Sequence, residues 1–342
     1  MEKNLDFRSD TVTLPTPEMR KAIAEVKLGD DVYGEDPTVN ELERLAADML
    51  GKEAGLFVTS GTQGNAVSVL AQTNRGDEIL LEANSHIYLN EVGGLAVIGS
   101  LMPKTIPGNL GWISPEDIRG ALRPKNIHYP ESTLLCIENT HNTAGGIPLT
   151  VNQQKADWDV AKEFGLGVHL DGARIFNAAV ALNVNVKELS QYADTVQFCL
   201  SKGLAAPVGS VVVGTQDIIT KARKYRKMLG GGMRQAGVIA APGIIALTQM
   251  VNRLADDHVN ARLLADGLQK LGIKILNPVR TNMVFIDFAD LGWNDTDWMA
   301  ACHQLGWKTR VRGTVTRLCL HYGIESDDIH AFLDGFSRIV AS

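Results

Sequence analysis

Three short stretches put reactive side chains where an apolar run stops. In Phe57-Val58-Thr59-Ser60-Gly61-Thr62-Gln63-Gly64-Asn65 a strand-like run meets a glycine and a helical pattern begins. Amide groups at a helix start, with Ser and Thr hydroxyls beside them, form an anion cradle. The same residues also fit plain helix capping, and neither a GxxxxGK[ST] loop nor a GxGxxG turn is present. In Gly167-Val168-His169-Leu170-Asp171-Gly172-Ala173-Arg174 an apolar strand delivers Asp171 to a sheet edge. A carboxylate there can pair with a protonated ring nitrogen, although Asp is equally at home as an N-cap. In Val196-Gln197-Phe198-Cys199-Leu200-Ser201-Lys202-Gly203-Leu204 a lysine follows directly on a buried strand. Burying an ammonium is costly unless it is paired or neutralised. A lysine of lowered pKa can form a Schiff base; a lysine snorkelling from a strand end is the plainer reading.

Anion cradle, ring-nitrogen carboxylate and Schiff-base lysine, in that chain order, are together the parts list for pyridoxal 5'-phosphate. The conjunction is far more specific than any one part. The alternative outside enzymology is an α/β binding protein in which Lys202 is structural. No metal site is expected, because the four cysteines, Cys136, Cys199, Cys302 and Cys319, and the histidines show no ligand spacing.

The elements that must position these residues are legible. Ala54–Val58, Glu78–Leu81, Thr133–Ile137, Leu166–Leu170, Val196–Leu200 and Ser210–Val213 read as strands. They are continuous apolar runs, as expected of strands covered on both faces. Amphipathic segments lie between several of them: Thr62–Gln72, Gln153–Glu163 and Thr215–Met228. Thr16-Pro17 and Ser114-Pro115 mark helix starts, and Thr38–Leu50 carries one apolar face ended by Gly51. This alternation predicts an α/β fold with a mostly parallel, doubly wound sheet, and ligands bind beyond the carboxyl ends of strands in such sheets. After about residue 255 the pattern becomes helix (Asn260–Leu271), strands (Lys274–Leu276, Asn282–Phe288), helix (Thr296–Leu305), strand (Thr316–His321) and a closing helix (Asp327–Val340). That reads as a small α+β unit. We divide the chain into residues 1–252, a large cofactor-binding domain whose N-terminal segment contributes to the site, and residues 253–342.

The chain has 342 residues, 45% hydrophobic and 21% charged, with a formal net charge of −6. That length supports a large core, and the charge offers no footprint for nucleic acid. The polar N-terminus does not read as a secretory signal. The longest apolar stretch, Val238–Met250, falls short of a bilayer span and reads as a core helix. Unpaired cysteines in apolar runs suit a reducing cytosol, so a cytoplasmic protein with no membrane partner is expected.

The sequence resembles the low-specificity L-threonine aldolases, which have the aspartate-aminotransferase-like fold (fold type I of the pyridoxal-phosphate enzymes). The matching motifs are Arg8–Thr13, Gly29–Thr38, Ser60–Gln63, Glu138–Asn142, Asp171–Asn177, Leu200–Leu204 and Gly230–Gln235. The likeness spans nearly the whole chain and weakens after about residue 290. It implies Lys202 as the covalent anchor, Asp171 at the pyridine nitrogen, Ser60, Gly61 and Thr62 at the phosphate, and His86 stacked on the ring. Arg174 and Arg317, with Ser9, would grip a substrate carboxylate; a planar guanidinium suits that bidentately. Tyr33 would line the pocket from a neighbouring subunit, and Arg234 would support the phosphate. The reaction implied is retro-aldol cleavage of L-β-hydroxy-α-amino acids to glycine and an aldehyde, with His86 and His128 as candidate bases. β-Elimination and transamination remain the alternatives within the same cofactor chemistry. A homotetramer acting on small amino acids is the assembly implied. His169 is expected to face away from the site, and His258, His303 and His330 to lie on helix surfaces.

Overall fold

The computed structural model describes residues 5–341; residues 1–4 and 342, included in the two expected domain ranges, lie outside the described residues. A seven-stranded sheet forms the larger layer, in the spatial order Ala54–Val58, Ser210–Gly214, Thr195–Cys199, Gly167–Asp171, Ser132–Glu138, Glu78–Glu82 and Met102–Ile106. Only Ser210–Gly214 runs antiparallel to its neighbours; the other pairings are parallel. The six predicted strands are all present within two residues at either end. The seventh, Met102–Ile106, was not predicted, and its side chains are mostly exposed or half-buried. An edge strand needs no apolar run, so it leaves no such signature.

Helices Pro37–Leu50, Gly61–Leu70, Val151–Glu163 and Gln216–Met228 cover the sheet. Their starts are fixed locally: Thr16, Asp36, Ser60, Ser114, Thr150 and Thr215 each accept an amide of the first turn. The Val238–Met250 stretch is a buried helix, Gly237–Ile245, continued by a π-turn at Ala246–Met250. It bends by 67° into helix Leu254–Lys270. Among the described residues no single helix is long and apolar enough to cross a membrane.

The C-terminal unit is a four-stranded antiparallel sheet ordered Val311–Arg312, Val315–Cys319, Met283–Asp287, Lys274–Ile275, with helices Leu254–Lys270, Asp295–Gln304 and Ser326–Val340. It has its own core, in which Trp298, Phe288 and Phe336 pack together. Residues 5–7, expected with the larger domain, pack here. Leu5–Asp6 pairs in parallel with Trp307–Lys308, and the Phe7 ring stacks on Trp307 at 3.8 Å. This threads the following residues, Arg8–Thr13, across the junction between the units, where Thr13 Oγ1 donates to the Lys202 carbonyl at 2.9 Å.

Candidate active site

The site forms where the parallel strands end. Strand Gly167–Asp171 delivers Asp171, 3% exposed, and its carboxylate accepts three hydrogen bonds. Gln197 Nε2 donates to Oδ1 at 3.0 Å, the Ala173 amide to Oδ1 at 3.1 Å, and Asn65 Nδ2 to Oδ2 at 2.9 Å. Strand Thr195–Cys199 supplies Gln197 and leads, three residues on, to the partly buried Lys202. Helix Gly61–Leu70 starts at the same level: Ser60 Oγ caps it by accepting the Gln63 amide at 3.2 Å. The Gly61 and Thr62 amides open this helix and have no intrahelical acceptor. Glycine is needed here for close packing. A Cβ at Gly61 would lie 2.9 Å from Cys199 Sγ, and one at Gly64 would lie 2.5 Å from Gln197 Cγ.

His86 opens the short helix His86–Leu89, and its amide donates to Glu138 Oε2 at 2.6 Å. Its Nδ1 lies 3.2 Å from Glu91 Oε1. The hydrogen bond with Glu91 raises the His86 pKa above the ordinary imidazole value, against the opposing effect of burial. Burial raises the Glu91 carboxyl, and its bond to His86 only partly offsets this. Asn65 joins these groups: Nδ2 donates to both Glu91 Oε1 at 2.8 Å and Asp171 Oδ2. One atom from each of His86, Glu91 and Asp171 falls within a 4.8 Å cluster.

On the other side Asp10, fully buried, meets Arg174. Burial alone would raise its pKa, but the charge and hydrogen bonds of Arg174 outweigh burial and hold the carboxyl well below its usual range. Lys202 and Arg317 add to the same pull on Asp10, so all four charges share one region. Arg317, on strand Val315–Cys319, donates to Asn142 Oδ1 at 2.7 Å and to the Arg8 carbonyl at 3.1 Å, tying the C-terminal unit to the site. Ser9 caps the single turn Asp10–Val12.

Ser60, Gly61, Thr62, His86, Asp171, Arg174, Lys202, Arg317 and Ser9 thus converge within one chain. His128 does not join them. It sits exposed in the loop before strand Ser132–Glu138, and that strand carries the site at its other end, about 20 Å away at 3.3 Å per residue. Tyr33 is 74% exposed and Arg234 is exposed and paired with Asp30 at 3.0 Å. Two histidines correct the sequence reading. His169 does not face away: two residues before Asp171, it shares that strand face. It is fully buried between Thr195 Oγ1 at 2.8 Å and Asn65 Oδ1 at 3.0 Å, and burial lowers its pKa to about 4. His258 is not on a surface but buried against Asn177, on the inward stripe with Leu254 and Ala261. His303 and His330 are exposed, as expected.

Asn65, Glu91, Gln197, Asp10 and Asn142 were not singled out from sequence. Gln197 had a usable signal, a lone amide inside an otherwise apolar strand; Glu91 and Asn65 had none without their partners.

A family model described as Beta-eliminating lyase matches residues 6–291. Low-specificity L-threonine aldolase 1 of Arabidopsis thaliana is 44% identical over 344 residues, covering 98% of this chain and 96% of its own. The low specificity L-threonine aldolase of Escherichia coli (strain K12) is 46% identical over 283 residues, covering 82% and 84%. A solved structure of Leishmania major threonine aldolase superposes with a TM-score of 0.87 at 20% identity, over 98% of this chain and 99% of that one. At that identity the superposition establishes the shared fold.

Proposed function

The chain belongs to the beta-eliminating lyase family and, within it, to the low-specificity L-threonine aldolases; from that premise we propose that it cleaves L-threonine and L-allo-threonine to glycine and acetaldehyde at the Lys202 site. The observation that carries the reading is the convergence of Lys202, Asp171 and the Ser60–Thr62 helix start at the carboxyl ends of the sheet strands. This donor set fits pyridoxal phosphate: an amine for its aldehyde, a buried carboxylate for its ring nitrogen, and free helix amides for its phosphate.

When bound, the cofactor supplies an electron sink for the bond broken at Cα. Lys202 would anchor it, Asp171 would hold the protonated ring nitrogen, and Ser60, Gly61 and Thr62 would hold the phosphate. Arg174 and Arg317, with Ser9, bind the substrate carboxylate and so orient the Cα–Cβ bond. His86 accepts the β-hydroxyl proton or relays it to water. His128, Tyr33 and Arg234 stand apart from this cluster, and we assign them to sites shared between subunits of a homotetramer. A cytoplasmic enzyme fits the four buried, unpaired cysteines.

The test is turnover of all four threonine stereoisomers with acetaldehyde trapped. Acetaldehyde and glycine from the L isomers is the expected result. Pyruvate and ammonia from serine, with no acetaldehyde from threonine, would replace the aldolase reading with β-elimination.

A further inference from the structure

His86 does not stand alone. Its Nδ1 edge is taken by Glu91 at 3.2 Å, and Glu91 is 7% exposed. The same Oε1 accepts from Asn65 Nδ2 at 2.8 Å. Asn65, 1% exposed, is in turn fixed by His169 at its carbonyl and by Asp171 at its amide. Every polar atom of the Asn65 side chain is therefore committed, and the Glu91 carboxylate cannot turn without breaking a bond to a buried amide. A buried acid so fixed against one nitrogen of a histidine sets which nitrogen carries the proton.

We infer that Glu91 is the positioning residue of the site, holding the proton of His86 on Nδ1 and leaving Nε2 as the acceptor for the β-hydroxyl proton of the substrate. The inference rests on His86 being the base in the aldolase reading. The charged groups facing His86 are Glu91 from the following turn, Asp171 from its strand end, Lys202 across the site, and Glu138 at its backbone amide. Of these, Glu91 contributes most to raising the His86 pKa. Removing its charge lowers that pKa. Glu91→Gln removes the charge but keeps its oxygen toward the Asn65 amide and His86 Nδ1, whereas Glu91→Leu leaves Nδ1 without an acceptor and lets the proton settle on Nε2, where it blocks acceptance.

The experiment uses full-length holoenzyme carrying 15N-histidine, with the His86 signals assigned by their loss in His86→Gln. The wild type is expected to show Nδ1 protonated and Nε2 bare; Glu91→Gln keeps this tautomer, whereas Glu91→Leu reverses the two. In parallel, kcat should fall on the order of 10²-fold with little change in KM, between the loss of an outer partner and that of a triad acid. The acid limb of the kcat/KM profile should move to lower pH. Glu91→Asp keeps the charge and should retain the wild-type tautomer with a smaller loss of kcat. Should Glu91→Leu not fold, a Glu91→Gln enzyme whose acid limb stays at the wild-type pH overturns the inference. So does a Glu91→Leu enzyme with the wild-type tautomer and limb. The imidazole readout does not depend on turnover: the expected tautomer in a protein that releases no acetaldehyde would sink the aldolase reading and leave the His86–Glu91 assignment standing.

Discussion

Arg174 holds Asp10 by two hydrogen bonds, Nε to Oδ2 at 2.7 Å and Nη2 to Oδ1 at 2.6 Å, with both side chains almost wholly buried. The pair links the N-terminal segment to the turn after Asp171. It commits one edge of the guanidinium and leaves Nη1 for a ligand. Asp10→Ala strands that cation in a buried place, which costs about 3–5 kcal/mol. Denaturant unfolding should show the loss, and the KM for threonine should rise in whatever fraction stays folded. Unfolding unchanged from wild type would mean that the pair is not buried in solution.

Arg317 reaches the site from the C-terminal unit, positioned by Asn142 and the Arg8 carbonyl. A charged hydrogen bond contributes about 1.5–3 kcal/mol, so Arg317→Ala should raise the KM for threonine by roughly 10- to 10²-fold. The cofactor absorbance should be retained. A normal KM would remove Arg317 from substrate binding.

Asp157 lies away from these residues and makes a pH prediction. Burial pushes its carboxyl up to about 8, only partly offset by the hydrogen bond from Trp112 Nε1 at 3.0 Å; among the described residues Oδ2 has no hydrogen-bond partner. Between the ordinary aspartate value of 3.8 and about 8 the folded state holds a proton that the unfolded state has released. Stability contributed by this group therefore falls as pH rises through that window. Asp157→Asn lacks the effect. Thermal unfolding should show the wild type losing ground to Asp157→Asn from pH 5 to pH 8, with parallel curves counting against a buried neutral acid.

If His128 acts on a site of another subunit, Lys202→Ala and His128→Ala chains should complement each other. Co-expressed, they form some hybrid sites that carry both intact residues. Retro-aldol activity above the sum of the separate variants is expected; a strictly additive rate would exclude shared sites for His128.

Much of the site was legible because polar residues at the ends of continuous apolar strands have few structural reasons to be there. Asp171 and Lys202 stood out on that ground, and the six strands that present them did too. What escaped notice depends on partners distant in sequence. Asn65 meets Asp171 across 106 residues and Arg174 meets Asp10 across 164, separations that no local pattern encodes. His169 and His258 were misplaced for the same reason: each is a buried polar residue satisfied by a far-off partner, Asn65 and Asn177. Residues 5–7 joined the second core through pairing with Trp307, some 300 residues on, which periodicity cannot show.

In the proposed reaction the ε-amine of Lys202 carries the cofactor. Borohydride reduction of the yellow protein, followed by proteolysis and mass spectrometry, tests it. A pyridoxyl phosphate adduct on the peptide containing Lys202, and on no other lysine, is the predicted result; an adduct elsewhere, or none, would contradict it.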